Sequence, residues 1–431
     1  MNPPSLESTL ARLNGRINWE RKLRQGAMRV DLAPMEDLMG RLDHPERAVR
    51  VVHVAGSKGK GSVARLIAEG LRSAGFAVGV YASPHVETIH ERIRLDGDWV
   101  SDAPLAEALH RVLEARDAAE AEHTAASDAT WFDLVTAAAF CCFRAAGLDW
   151  AVVEVGLGGR LDSTNVVQPS LCVITSIELE HTDILGTTRS AIAREKAGIL
   201  KLGSVLACGV PPDRSRGIAE DAGHVIATTA MNLGIYWECI TPKGSFDERN
   251  QSMARLGLNL LGERGIQAPR GSMHAGLITP EVIEAARLPG RLEKFSAGGV
   301  PVVLDGAHVA ASLTAVFDQL EGEEFAKAHP QVVFALGQDK DATALLKTLV
   351  GRADRVHCTS VKGSLHRPPA ELEVLASEAG LASQTHNSPR QALRHALDAA
   401  GANGWVLVTG SLHLVGALRP ELRAQASRPP S

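Results

Sequence analysis

Short apolar runs rich in valine alternate along the chain with longer amphipathic segments rich in alanine and leucine. Val51-Val52-His53-Val54-Ala55, Ala77-Val78-Gly79-Val80-Tyr81-Ala82, Trp150-Ala151-Val152-Val153-Glu154-Val155, Leu171-Cys172-Val173-Ile174-Thr175 and Ser204-Val205-Leu206-Ala207-Cys208 read as strands. Their near-continuous apolarity suits strands covered on both faces of a parallel sheet. Helical spacing is expected over Val63–Leu71 and near 103–122, 131–145, 188–197 and 248–263. Residues 211–247 carry no assignable period. Leu288-Pro289-Gly290-Arg291 then breaks helix and strand alike. A second series follows, with strands at Val300–Leu304, Val332–Leu336, Arg355–Cys358 and Trp405–Val408. Helices near 311–320, 341–351, 368–379 and 389–400 lie between them. The pattern predicts an α/β protein of two domains, 1–292 and 293–431, with Ser427–Ser431 disordered.

At 431 residues, with 45% hydrophobic and 22% charged, the chain can bury two cores. A net charge of -5 argues against nucleic-acid partners. No apolar run is long enough for a membrane span, and the first residues lack the order of a signal peptide. Six scattered cysteines contain no C-x-x-C, which predicts neither a zinc site nor a disulfide framework and suits a reducing cytoplasm.

The richest segment joins the first strand to a helix: Gly56-Ser57-Lys58-Gly59-Lys60-Gly61-Ser62. Glycines let backbone N–H groups approach phosphate oxygens, and a helix N-terminus adds its positive dipole end. Lys60 is placed to pair with the β/γ-phosphates and Ser62 to reach Mg²⁺. The loop departs from G-x-x-x-x-G-K-[ST] by placing Gly61 between lysine and serine. A glycine loop alone is often a plain turn, but a lysine between strand and helix favours a nucleotide triphosphate.

Other candidates sit at strand ends, where parallel sheets place ligands. Ser83, in Ser83-Pro84-His85, is either a metal ligand or a turn cap. Glu154 ends an apolar strand, where a carboxylate is costly unless it holds a cation such as Mg²⁺ or forms a salt bridge, with Arg160 the available partner. His181, in Glu178-Leu179-Glu180-His181-Thr182-Asp183, is a metal ligand or simply a packed or surface residue. Spacing reads Lys196, beside Glu195, as a solvated helix lysine. Asp305, in Asp305-Gly306-Ala307-His308, would accept from a ribose or form an Asx turn. Gly410-Ser411-Leu412-His413 is similarly placed.

Together these segments resemble the Mur ligase superfamily, and within it folylpolyglutamate and dihydrofolate synthases. The carrying motifs include the glycine loop, Glu154-Val155-Gly156-Leu157-Gly158-Gly159-Arg160-Leu161-Asp162-Ser163-Thr164-Asn165 and His181-Thr182-Asp183-Ile184-Leu185-Gly186. Arg194-Glu195-Lys196-Ala197-Gly198-Ile199, Leu288-Pro289-Gly290-Arg291-Leu292-Glu293 and Gly337-Gln338-Asp339-Lys340-Asp341 continue in the family's order. The resemblance implies a P-loop ATPase-like parallel-sheet domain followed by a smaller Rossmann-like domain, with the active site in the cleft between them. It implies that Ser62, Ser83, Glu154 and His181 hold Mg²⁺, and that Lys196 is carbamylated, against the solvated reading. Asn250, Arg291 and Asp305 match positions that contact ATP, together with residues 56–62. His308 and Ser411 are placed to bind glutamate.

The implied activity is ATP-dependent addition of L-glutamate to a pterin carboxylate, dihydropteroate or a reduced folate, through an acyl phosphate. Lys60, Lys196, His181 and Glu154 carry the chemistry of a cytoplasmic monomer. The departures are Glu180 where the family has aspartate, Val309 where D-G-A-H-N ends in asparagine, and a missing H-Q before Asn250. They leave open a Mur-type ligase with another acid and amine. A non-catalytic nucleotide-binding paralogue would lack loop or metal residues, all of which are present here.

Overall fold

The computed structural model describes residues 5–16, 31–213, 215 and 220–426. The expected disorder of Ser427–Ser431 therefore lies outside the described residues. Two compact units emerge, one comprising the chain up to His85 and Ile89–Arg287, the other comprising Val86–Thr88 and Leu288 onward, among the described residues. The sequence places its boundary after residue 292.

The first unit is built on eight strands: β1 (Arg50–Ala55), β2 (Val78–Tyr81), β3 (Ile93–Leu95), β4 (Asp98–Trp99), β5 (Trp150–Glu154), β6 (Pro169–Ile174), β7 (Val205–Cys208) and β8 (Tyr236–Cys239). Their order is β4-β3-β2-β5-β1-β6-β7-β8. All pairs are parallel except β2/β3 and β3/β4. Alternation along the strands decides what covers each face. Val51, Ala151 and Val153 pack with the helices Asp102–Glu122 and Trp131–Ala145. Val52, Val54, Val152 and Val173 pack with Lys60–Ser73 and Phe246–Glu263. With both faces covered, the strands read as unbroken apolar runs. A two-residue hairpin, β9 (Gln267–Ala268) with β10 (Gly271–Ser272), follows.

The second unit has six strands: β11 (Glu293–Ala297), β12 (Val300–Leu304), β13 (Gln331–Phe334), β14 (Arg355–Cys358), β15 (Ser383–Thr385) and β16 (Val406–Thr409). Their order is β11-β12-β16-β13-β14-β15, antiparallel only at β11/β12. Val303, Val332, Phe334 and Leu407 face the helices Ala310–Leu320, Ala342–Lys347 and Pro369–Glu378. Val302, Val333, Val406 and Val408 face Pro389–Ala400 and Leu412–Ala426.

The predicted strands and helices are found with small shifts of their ends. The unassigned 211–247 stretch holds a helix, Ala222–Asn232, capped by Asp221, and the edge strand β8. Two-residue β4 and half-exposed β8 are too short or too polar to announce themselves by alternation. Leu412–Ala426 carries Pro420 inside it, which masks its helical period.

Val309 occupies the N-cap of Ala310–Leu320 with extended φ and ψ of -137° and 149° and makes no side-chain cap bond. An asparagine there would accept from a first-turn N–H. Val309→Asn should raise unfolding stability by about 1 kcal/mol in chemical denaturation. An unchanged midpoint would show that those N–H groups are already satisfied.

Candidate active site

The strand order places the candidate loops side by side. β2, β5, β1 and β6 are consecutive and parallel, so Ser83, Glu154, the glycine loop and the Ser176–His181 loop all follow carboxyl ends of neighbouring strands. This is the edge at which open α/β sheets bind ligands.

The glycine loop is pinned to the loop after β6. The Ser57 N–H donates to the Ser176 carbonyl at 2.8 Å, and the Lys58 N–H donates to the Ser176 hydroxyl at 3.0 Å. The Thr175 hydroxyl donates to the Lys58 carbonyl at 2.6 Å. The Ser57 hydroxyl accepts from the Glu178 N–H at 2.9 Å, so this side chain tethers the loop. Gly56 has φ 146°, and a Cβ there would lie 1.9 Å from Thr175 Oγ1. Gly59, φ 83°, caps the helix that begins at Lys60, and its Cβ would meet Asn250 Oδ1 at 2.3 Å. Asn250, on the helix Phe246–Glu263, is thus brought against the loop. Gly61 and Ser62 lie in the first turn, half-buried, with N–H groups of the helix start around them.

Two lysines meet at one carbonyl. Lys60 Nζ donates to the Gly56 oxygen at 3.0 Å, and Lys196 Nζ donates to the same oxygen at 2.9 Å. Lys196 also pairs with Glu180 Oε1 at 3.2 Å, and Lys58 lies 4.0 Å from Glu180 Oε2. The solvated reading of Lys196 is corrected here: it is 2% exposed, and its partner is Glu180. Burial, then the charge of Lys60, pull its pKa down to about 8. Burial works to raise the Glu180 carboxyl, yet Lys196, Lys60, Lys58 and His181 hold it below its ordinary value. The aspartate-to-glutamate departure lengthens the reach to Lys196.

Glu154 is buried at the end of β5, and its Oε2 accepts from the Ser83 N–H at 3.2 Å. The alternative salt bridge with Arg160 does not form. Arg160 pairs instead with Glu195 Oε1, at 2.9 and 3.1 Å, and its N–H donates to the Glu195 carbonyl at 2.8 Å. Asn165 Nδ2 donates to the carbonyls of Arg160 at 2.9 Å and Gly198 at 3.1 Å. Buried Asp162 orders the same loop by accepting from Leu157 and Thr164 N–H groups at 2.8 and 3.0 Å. The Glu154–Asn165 block therefore clamps the helix Arg189–Ala197 that carries Lys196. This positioning role was invisible in the spacing. His181 is exposed, has φ 48°, and opens the turn Thr182–Leu185.

In the second unit, Asp305 is buried after β12. Its Oδ1 accepts from the Ala307 N–H at 2.8 Å, the bond of an Asx turn, and its Oδ2 accepts from Leu292 at 2.9 Å. Burial raises the carboxyl, opposed by the charge of exposed Arg291. His308 Nδ1 donates to the Gly306 carbonyl at 2.9 Å. Ser411 follows β16 and is 2.8 Å from His366 Nε2, a partner the sequence did not flag.

No group of three or more His, Cys, Asp or Glu side chains is arranged to hold a metal among the described residues. The expected donors include one carboxylate and one imidazole, with the serine hydroxyls of Ser62 and Ser83. Such an oxygen-rich set fits a hard divalent cation whose remaining ligands come from substrate phosphates and water.

Comparison with known proteins extends this picture. The family description "Mur ligase, glutamate ligase domain" matches residues 290–412. The dihydrofolate synthase/folylpolyglutamate synthase of Bacillus subtilis (strain 168) is 32% identical over 418 residues, 91% of this chain and 95% of that protein. The structure of E. coli FolC in complex with DHPP and ADP superposes with a TM-score of 0.79 at 25% identity, covering 98% of this chain and 99% of that one. A bifunctional folylpolyglutamate synthase/dihydrofolate synthase from Yersinia pestis, complexed with AMPPNP and Mn ion, gives 0.77 at 26% identity, with 97% and 98% covered.

Gly56→Ala should cost about 1–3 kcal/mol of unfolding stability through backbone strain and the clash with Thr175. Denaturant titration beside a Gly40→Ala control measures it, since a Cβ at Gly40 meets nothing within 4 Å. Equal midpoints for the two variants would contradict the loop geometry.

Proposed function

This chain belongs to the folylpolyglutamate synthase and dihydrofolate synthase family, and from that premise we propose how its own residues carry out the reaction. It is an ATP-dependent acid–amino-acid ligase. A carboxylate is a poor acyl donor at neutral pH, because its oxygen leaves badly. Transfer of the γ-phosphoryl group to the pterin carboxylate gives an acyl phosphate with a good leaving group. The glutamate amine then attacks the acyl carbon, the C–N bond forms, and inorganic phosphate departs with the bonding pair. No protein nucleophile is required.

The observation that carries this reading is the convergence of Lys60 and Lys196 on the Gly56 carbonyl at the mouth of the glycine loop. Lys60 opens the helix that follows the glycine loop, and in this reading it offsets the charge that builds on the phosphates during transfer. In this reading Asn250 and residues 56–62 surround the triphosphate, and Arg291 and Asp305 are further proposed ATP contacts. Ser62, Ser83, Glu154 and His181 would hold Mg²⁺, which supplies charge neutralisation at the phosphates. His308 and Ser411 receive the glutamate. Six free cysteines support a reducing, cytoplasmic setting, and the proposed working form is a monomer.

Lys196 is suited to carbamylation. Its burial favours the neutral amine, the form that attacks CO₂. One N–H remains on a carbamate nitrogen and can keep the Gly56 bond. The new anion cannot keep Glu180 as partner, so Glu180 would turn to Lys58, 4.0 Å away.

Two experiments test these steps. Pterin labelled with ¹⁸O in its carboxylate should pass one label into inorganic phosphate, with ADP as the stoichiometric nucleotide product. Label in AMP with release of pyrophosphate would refute the acyl phosphate. Enzyme equilibrated with ¹³CO₂ should show a carbamate carbon signal that is absent in Lys196→Arg. Because the ammonium form dominates below a pKa of about 8, that signal should grow as pH rises through this value at fixed dissolved CO₂. A wild-type spectrum identical to that of Lys196→Arg would exclude the modification.

A further inference from the structure

The surroundings of Ser411 fix the direction of its hydrogen bonds. His366 lies in the loop between β14 and the helix Pro369–Glu378. That loop is pinned to the end of β13: the Arg367 N–H donates to the Leu336 carbonyl at 2.8 Å, the Gln338 N–H to Leu365 at 3.0 Å, and Gln338 Nε2 to the His366 carbonyl at 3.1 Å. His366 Nδ1 accepts from the Val361 N–H at 3.1 Å. A backbone N–H can only donate, so Nδ1 carries no proton, and in the neutral ring the proton sits on Nε2. Nε2 is 2.8 Å from Ser411 Oγ and therefore donates to it. The His413 N–H donates to the same oxygen at 3.1 Å.

A serine oxygen has two lone pairs and one proton. Both lone pairs of Ser411 are taken, by His366 and by the His413 N–H. The hydroxyl proton is left pointing to whatever binds, and Ser411 can greet a ligand only as a donor. Protonating His366 would set Nδ1–H against the Val361 N–H; burial and then the charge of His413 keep the ring neutral, with its pKa lowered to about 4.

We propose that His366 is a positioning residue that makes Ser411 a one-way hydrogen-bond donor to a carboxylate of the incoming amino acid. This rests on the reading of Ser411 as an amino-acid contact. A fixed donor favours a carboxylate, which accepts with full charge at both oxygens, over a carboxamide, which accepts only at its neutral oxygen and is repelled when its NH₂ end is turned to the serine proton. Without His366 the serine hydroxyl is free to rotate, accept from an amide and lose this preference. His366 touches no reacting atom; its effect passes through the orientation of one proton.

The test is steady-state kinetics on the full-length protein, with ATP and pterin saturating and glutamate, glutamine or isoglutamine varied. His366→Leu should raise KM for glutamate roughly ten- to hundred-fold, the range for a hydrogen bond to a charged group. KM for ATP, measured separately at saturating glutamate, should stay as in wild type. Discrimination between glutamate and one of its two mono-amides should narrow by a similar factor. His366→Gln, which can donate to Ser411 through its amide, should restore most of the affinity and the discrimination. Ser411→Ala should reproduce the loss, and the double variant should be no worse than either single one. A normal glutamate KM in His366→Leu beside a raised one in Ser411→Ala would overturn the role of His366 and leave that of Ser411 intact. A normal KM in Ser411→Ala would end the reading of Ser411 as an amino-acid contact. Equal losses in His366→Gln and His366→Leu, with amide discrimination unchanged in both, would reduce His366 to a packing residue.

Discussion

Two ammonium groups on one backbone oxygen is the arrangement on which the first unit's site depends. Lys60 and Lys196 both donate to Gly56, and among the described residues the ion pair to this cluster is that of Glu180 with Lys196. Like charges this close, one of them buried, are unfavourable unless an anion completes the cluster. A triphosphate at the helix N-terminus would answer Lys60, and the proposed carbamate on Lys196 would remove the second like charge. The loop geometry follows from the same need. Gly56 and Glu180 must lie together, so the loop after β1 is stitched to the loop after β6, and Gly56 packs where no Cβ fits beside Thr175.

The Glu154–Asn165 block adds the second constraint. Arg160, Asp162 and Asn165 do not face a ligand in these contacts. They bind one another's backbone and the helix that bears Lys196, holding its end in register with the glycine loop. The order of the candidate site thus comes from part-buried polar bonds within loops as well as from packing. In the second unit, the His366–Ser411 pair follows the same logic: a backbone N–H sets a ring tautomer, and the tautomer sets a hydroxyl.

Much of this was legible in the chain. Doubly covered parallel strands show as valine-rich runs, so β1, β2, β5, β6, β7 and the central strands of the second sheet stand out. The edge elements did not, because β4 and β8 are short and half-exposed and follow no strict alternation. Candidate site residues could be picked out wherever a charged or polar group closes an apolar run, as Glu154 and Asp305 do. Their partners were not. Nothing in the spacing shows that Arg160 turns to Glu195 rather than Glu154, or that Lys196 is buried against Glu180. His366, far along the chain from Ser411, becomes its neighbour only through the parallel order of β13, β14 and β16.

The central claim is that the lysine cluster at Gly56 awaits a triphosphate, and calorimetric titration with a non-hydrolysable ATP analogue and Mg²⁺ tests it most directly. The account predicts saturable one-site binding to wild type and affinity weakened at least roughly ten-fold in Lys60→Met, as expected for loss of one charge-assisted contact. It also predicts that the variant's weaker binding depends less steeply on salt, since one cation is gone. Equal affinity and equal salt dependence in the two proteins would contradict it.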